Sequence, residues 1–447
     1  MRVARVTTAV VEANYDWTIV RVESDEGVSG WGESFCAPGL TETIRDLAPL
    51  VEGRDARDVE PLVRRLHLAT AHVSGGGTVH HAISGIEAAL WDLAARSLEV
   101  PLWQLFGGRF RDRVRIYADC HAGEALTSYS ATLVSRRLPW MDKTAAEPPS
   151  DNMSQAPTAS AGAASAPSSK LLQGSIAGDE PEFHWSPAEA DSVYTPDAYA
   201  TRAVQMVERG FTALKFDLDL PLLPHEDLYA RTISAAQLER QLAIAEAAVG
   251  AVAGRADVAF DLHWRYAPAD ALRLARALEH LPVLWLEDPT PPRDLASVAE
   301  IARRTTTPIC TGENLYGLDG FAALTELGGV DILAPDLQKV GGLAETRRIA
   351  ALADTRSRPL APHNIAGPIG TLASAHVCAS IPNFLVLEWH AASVPFFDEL
   401  LVGGGPVIVD GHVALPDAPG IGADLDLDVA RRYARPGEPF FDEPALP

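Results

Sequence analysis

The chain reads as an α/β protein: a (β/α)8-type barrel preceded by a smaller α+β domain. Three observations predict this. The first 35 residues alternate apolar and polar like antiparallel strands. From residue 113 onward short apolar runs recur with amphipathic helices between them. Those runs end, one after another, in ionisable residues, as staves do when their C-terminal ends form a reactive mouth.

Taking the elements in order, "VARVTTAVVE" and "WTIVRVESDEGVSGWGE" give strands, with Gly27 and Gly30 where turns are expected. Residues 40–105 read as helices. In "HHAISGIEAALWDLAARSLEV", Ile83, Ile86, Leu90, Leu93 and Ala94 fall at helical spacing. This α+β domain spans residues 1–112. "VSGGGTVHH" (73–81) reads as a glycine-rich loop, and it lacks the lysine of a phosphate cradle.

The barrel domain, residues 113–399, carries eight strand candidates. They are "VRIYADC" (114–120), "TALKFDLD" (212–219), "VAFDLH" (258–263), "VLWLED" (283–288), "PICTGE" (308–313), "VDILAPD" (330–336), "PLAPH" (359–363) and "FLVLE" (384–388). Strands alternating with helices mean a parallel sheet, and eight such units suggest closure. Residues 141–182 interrupt the order. This Ala/Ser/Pro-rich stretch has too few large apolar residues to offset its ordering entropy, and it reads as a disordered or loosely packed insertion between the first two barrel strands. Order resumes where Thr195 can cap a helix with Pro196 at its first position. The tail from about residue 400 to 447 is strand- and turn-rich, and is expected to return and complete the N-terminal domain.

Composition narrows the partners. Hydrophobic content of 47% with 22% charged residues is ordinary for a folded protein, and 447 residues suffice for two domains. A formal charge of −23 argues against nucleic acid and anionic membranes, though a bound cation can still draw in an anionic substrate. Cys36, Cys120, Cys310 and Cys378 are widely spaced and read as reduced thiols. The N-terminus has no signal-peptide core and no apolar run spans a bilayer, so the expected location is the cytoplasm.

The strand ends carry the chemistry. Lys215 and Asp217 end the second run, Asp261 and His263 the third, Glu287 the fourth, Glu313 the fifth, Asp336 the sixth, His363 the seventh and Glu388 the eighth. In "VAFDLHWRY" side-chain alternation puts Asp261 and His263 on one side of the strand. Asp261 and Glu287 are 26 residues apart, as are Glu287 and Glu313, which is one βα unit per step. Three carboxylates converging from adjacent staves repel one another unless a cation lies between them. All-oxygen ligation suits Mg²⁺ better than Zn²⁺. Asp336 and His363, on the next two staves, make a general base: the carboxylate fixes the imidazole tautomer and raises the basicity of the other nitrogen.

"ALKFD", "FDLH", "WLEDP", "TGEN", "DILAPDLQKVGG", "APHNIAGPIG" and "LEW" resemble the mandelate racemase subgroup of the enolase superfamily. The resemblance implies a capping domain on a modified barrel. It also implies a first step in which Mg²⁺ binds the substrate carboxylate while a base removes the α-proton. Carried over by position, Asp261, Glu287 and Glu313 correspond to the metal ligands, Asp336 and His363 to the base dyad, and Glu388 to the acid that hydrogen-bonds the carboxylate. Where the family often has a second lysine, this chain has Asp217. Racemisation needs a base on each face of the α-carbon, so that replacement favours elimination. Lys215, kept charged, would sit near the carboxylate, and His263 would protonate the departing β-hydroxyl. This pattern is similar to dehydratases of the galactonate and mannonate groups, which leave a 2-keto-3-deoxy acid.

A racemase, epimerase or cycloisomerase would use the same enediolate. A non-catalytic sugar-acid binding protein is the reading from another class. The cap loops "NYDW" and "VSGGGTVHH" would close over the mouth, making Tyr15, Trp17, His80 and His81 candidate substrate contacts, with His121 after the first barrel strand. The resemblance further implies a homo-oligomer.

Overall fold

The structure is a computed structural model that describes residues 1–73, 75–121, 128, 129, 131, 132, 135, 136, 138–141, 193–223 and 226–442. The proposed insertion, from residue 142 on, lies outside the described residues.

At the N-terminus β1 (Val3–Glu12), β2 (Asp16–Ser24) and β3 (Ser29–Ser34) form an antiparallel meander. Helices α1 (Leu40–Leu47), α2 (Val59–Thr70) and α3 (Thr78–Ser97) follow. The sheet and α3 touch backbone to backbone because β3 presents glycines. A Cβ on Gly30 would lie 2.2 Å from the Ala89 carbonyl oxygen, and one on Gly32 would lie 2.3 Å from that of Gly85. Val20, Val22, Leu66, Ile83, Ile86, Leu90 and Leu93 share the core beneath. Because α3 begins at Thr78, His80 and His81 sit in its first turn, not in the preceding loop as expected.

The barrel staves are β4 (Arg113–Asp119), β5 (Ala213–Asp217), β6 (Asp257–Asp261), β7 (Val283–Glu287), β8 (Ile309–Thr311), β9 (Ile332–Leu333) and β10 (Leu387–Trp389). Each pairs in parallel with the next from β4 to β9, and β10 pairs back onto β4. The seventh stave is reduced to Leu360, bridged to Leu333 on one side and Phe384 on the other. Prolines at 359 and 362 leave "PLAPH" short of ladder N–H groups, which accounts for its brevity. Tyr117 and Trp285 fill the barrel interior edge to face at 5.4 Å, beside small Ala213, Ala259 and Ala361. Helices α4 (Pro196–Glu208), α5 (Ala235–Val252), α6 (Pro268–Ala277), α7 (Leu295–Arg304), α8 (Gly317–Leu327), α9 (Leu343–Asp354) and α10 (Pro368–Ser380) intervene between staves. The Thr195 hydroxyl accepts from the Ala198 N–H at 3.2 Å, capping α4 as its sequence required.

The tail divides its contacts. A hairpin of Ile408–Val409 and His412–Ala414 adds antiparallel to the start of β4. Ala434 and Phe440 then bridge to Val11 and Ala9 of β1. Two N-terminal acids reach into the barrel as helix caps. Glu33 accepts from the Gly367 and Gly370 N–H groups at 2.7 and 2.9 Å, at the start of α10. Glu87 accepts from the Leu343 and Ala344 N–H groups at 2.8 and 2.9 Å, at the start of α9. Each satisfies orphan donors and sits at the positive end of a helix dipole. All four cysteines are free and buried. Among the described residues no helix is long and apolar enough to cross a membrane.

Candidate active site

The register of β5 and β6 sets Asp217 beside Asp261, and that of β6 and β7 sets Asp261 beside Glu287. Glu313 follows two residues after β8. Ligand oxygens of Asp261, Glu287 and Glu313 all lie within 4.8 Å of one another, and all three residues are buried. In each, one oxygen is anchored from within the protein. The His263 N–H donates to Asp261 Oδ1 at 2.8 Å, the Trp285 indole N–H to Glu287 Oε2 at 2.8 Å, and the Asn314 amide to Glu313 Oε1 at 2.9 Å. Glu287 Oε1 is buried with no hydrogen-bond partner, and Asp261 Oδ2 faces the Lys215 ammonium at 3.1 Å. Burial pushes Glu287 well above the ordinary carboxylate range, against the pull of Lys215. Anchored carboxylates with spare oxygens, and no nitrogen or sulfur among them, fit a hard divalent cation.

Lys215 is 1% exposed and lies among acids: 2.8 Å from Glu388 Oε1, 3.1 Å from Asp261 Oδ2, 3.4 Å from Glu287 Oε2 and 3.5 Å from Asp119 Oδ2. Burial works to discharge it, but Glu287 and Glu388 outweigh that and hold its pKa well above the usual lysine value.

His363 Nδ1 lies 2.6 Å from Asp336 Oδ2, while Asp336 Oδ1 accepts from the Gln338 N–H at 2.7 Å. The other ring nitrogen faces Glu313 Oε2 at 3.4 Å and Glu388 Oε2 at 3.7 Å. Without a cation on Glu313, burial would lower this imidazole, but Glu313, Glu388 and Asp336 raise it to about 9.

His263 follows the third stave and His363 the seventh, so in a ring of eight they come from opposite sides of the mouth. The expected reason for the pairing of Asp261 with His263 is corrected by the structure. β6 ends at Asp261, and His263 lies beyond it in the left-handed region with φ 41°. A turn tied by its own N–H to Asp261, not strand alternation, brings the two together. His263 Nδ1 is 3.2 Å from Asp219 Oδ1 and its Nε2 is 3.9 Å from Asp261 Oδ2.

A cavity of about 310 Å³ opens above these groups. Tyr15, His81 and His121 line it, together with Lys215, His263, Glu313 and His363. Trp17 and His80, the other two cap residues expected to contact substrate, do not line it. Trp17 is 2% exposed, donates its indole N–H to the Ile365 carbonyl at 3.1 Å, and packs edge-on to Phe396 and Phe397. It holds the loop after His363 and acts on the site at one remove. His80 turns into a separate cleft of about 1030 Å³ beside His67 and Arg348.

Sequence reasoning missed several lining groups. Asp119 ends the first stave as other acids end theirs, and His390 follows Glu388 by two residues as His263 follows Asp261. Both repeats were available as signals. Lys339 lies within a quoted motif, yet no periodicity aims it inward. Its ammonium bonds Asn314 Oδ1 at 3.0 Å and lies 4.4 Å from the Phe35 ring centre.

A capped barrel with an acid cluster and a paired histidine and aspartate at the C-terminal ends of its staves is the arrangement of an enolase-type enzyme. Comparison with known families agrees. Residues 3–107 match the N-terminal domain of mandelate racemase / muconate lactonizing enzyme, and residues 198–429 match the enolase C-terminal domain-like family. The chain belongs to the mandelate racemase subgroup of the enolase superfamily. It is 37% identical over 440 residues to the D-xylonate dehydratase of Haloferax volcanii, covering 98% of this chain and 90% of that protein. It is 26% identical to the D-galactonate dehydratase of Xanthomonas axonopodis pv. citri, covering 97% and 94%. A crystal structure of a mandelate racemase/muconate lactonizing enzyme-like protein from Rubrobacter xylanophilus superposes with a TM-score of 0.81 at 36% identity, covering 98% of this chain and 99% of that one. The protein is an enzyme, and relatives named as dehydratases place it in the lyase class.

Proposed function

We propose that this enzyme is a Mg²⁺-dependent dehydratase of a sugar acid that yields a 2-keto-3-deoxy acid. The observation that carries the reading is the placement of His263 and His363 on opposite staves, with Asp261, Glu287 and Glu313 between them. The relatives named D-xylonate and D-galactonate dehydratase support a sugar acid as substrate.

Asp261, Glu287 and Glu313 would hold the ion. When bound, it supplies positive charge that stabilises the anion developing on the substrate carboxylate as the α-proton leaves. His363, fixed by Asp336, takes that proton through its Nε2. Lys215 meets the carboxylate as a charged donor, and Glu388 is the acid that hydrogen-bonds it. His263, held near Asp219, gives a proton to the departing β-hydroxyl. Asp217 offers no second base beside the α-carbon, so the carbanion is spent on elimination and not on reprotonation from the other face. Tyr15 and His81 from the cap, and His121 from the barrel, contact the hydroxyl chain and help exclude water.

The test is a panel of aldonate and uronate-derived acid stereoisomers, D-xylonate and D-galactonate included, incubated with Mg²⁺ and assayed for 2-keto acids. A 2-keto acid from at least one member, abolished by chelation and restored by Mg²⁺, is the expected result. Loss of α-hydrogen to solvent without release of water would point instead to an epimerase or cycloisomerase.

A further inference from the structure

Elimination leaves an enol, which must gain a proton at C3 before it becomes the keto acid. His263 cannot supply it at once, having given its proton to the departing hydroxyl. A second imidazole stands ready on the same side of the mouth. His121 lies just past β4 in a left-handed conformation, φ 48°, with its N–H bonded to Asp119 Oδ1 at 3.0 Å. Its Nδ1 is 3.3 Å from Asp217 Oδ2, and its ring meets that of His390 edge to face with centroids 4.1 Å apart. Asp217 is 5% exposed, stands where the family often has a second lysine, and also lies close to His263: ligand atoms of Asp217, Asp219 and His263 fall within 4.8 Å of one another. The acid therefore sits between two imidazoles that line one cavity.

Resting on the dehydratase reading, we propose that His121, oriented by Asp217, is the acid that protonates C3 of the enol. The surroundings favour its charged form. Burial would discharge it, but Asp119 and Asp217 outweigh burial and the repulsion of His263, and raise it above the usual histidine value. The adjoining His390 is driven the other way by burial and by His121, so a proton shared by the pair favours His121. The balance closes. His363 takes the C2 proton, and His263 gives one to the hydroxyl, which leaves as water with the C3–O bonding pair. His121 then gives its proton to C3. The enol O–H proton passes to neutral His263 as the C2 carbonyl forms. Solvent discharges His363 and recharges His121, and the substrate has lost one water.

The test is turnover of the active acid in D₂O with Mg²⁺, reading the configuration of deuterium at C3 of the product by NMR. The wild-type enzyme should give one C3 epimer. His121→Asn, with His121→Gln as a second variant, should still exchange the α-proton and release water at reduced rates. Each should give a near-equal mixture of epimers, because the enol escapes and ketonises in solution. A single epimer from either variant, a mixture from the wild type, or loss of α-proton exchange in both folded variants would overturn the proposal. If no acid in the panel gives a keto acid, it is the dehydratase reading that fails.

Discussion

The Lys215 ammonium lies 2.8 Å from Glu388 Oε1, deep under the mouth of the barrel, and shares its charge with Asp119, Asp261 and Glu287. It is the ammonium that makes it possible to collect so many buried acids in one place. Removing one member of such a cluster strands the rest, at a cost on the order of 3–5 kcal/mol. Lys215→Met is therefore expected to lower the melting temperature of the metal-free protein by several degrees. A divalent cation should raise it more in the variant than in the wild type. An unchanged melting temperature without metal would remove Lys215 from this role.

Loss of a direct ligand should be felt in binding before catalysis. In Glu287→Gln the amide replaces a carboxylate whose one oxygen is tied to Trp285 and whose other has no hydrogen-bond partner. Mg²⁺ affinity, followed by calorimetry on folded protein, should fall at least about tenfold, since loss of even an outer partner of a ligand costs that much. Equal affinity would place the ion elsewhere.

His263→Asn separates the two halves of the reaction. With His363 intact, the α-proton of the substrate should still exchange with solvent deuterium. Release of water should drop about 10²–10⁴-fold, the usual contribution of a positioned acid. If exchange and elimination fall together, His263 assists ionisation and not departure.

The clasp between cap and barrel makes stability depend on pH in an uncommon direction. Burial lifts Glu33 and Glu87 to about 7 each, despite the backbone N–H groups of Gly367, Gly370, Leu343 and Ala344 that pull them down. Between the free value of about 4.5 and about 7, the folded state retains protons that the unfolded chain has released. Stability from these groups therefore falls as pH rises through that window, by up to about 1.4 kcal/mol for each group with every step of one in pH. Melting temperatures of Glu33→Gln and Glu87→Gln, taken from pH 5 to 8, should decline less steeply than those of the wild type. Parallel curves would show that neither acid titrates there.

How much of this could be read beforehand follows from what each feature depends on. The staves and the acids at their ends recur with the βα repeat, so Asp261, Glu287, Glu313, Asp336 and His363 were legible from spacing alone. The helix start at Thr195 was legible because capping is local chemistry. Trp17 misleads because its neighbours look like a loop, and only the fold shows that its indole reaches the Ile365 carbonyl, 348 residues away along the chain. His80 and His81 are adjacent in sequence, yet the turn of α3 sends them to different cavities. Lys339 and the Glu33 and Glu87 caps depend on how the cap meets the barrel, and no local pattern records that contact.

The central claim is that His363 pulls the α-proton from a carboxylate substrate held over the acid cluster. Proton NMR in D₂O, with Mg²⁺ and the acid found active in the panel, measures it most directly by comparing the wild type with His363→Asn. The wild type should remove the α-proton and the folded variant should leave it in place. An α-proton removed by the variant at the wild-type rate would contradict it.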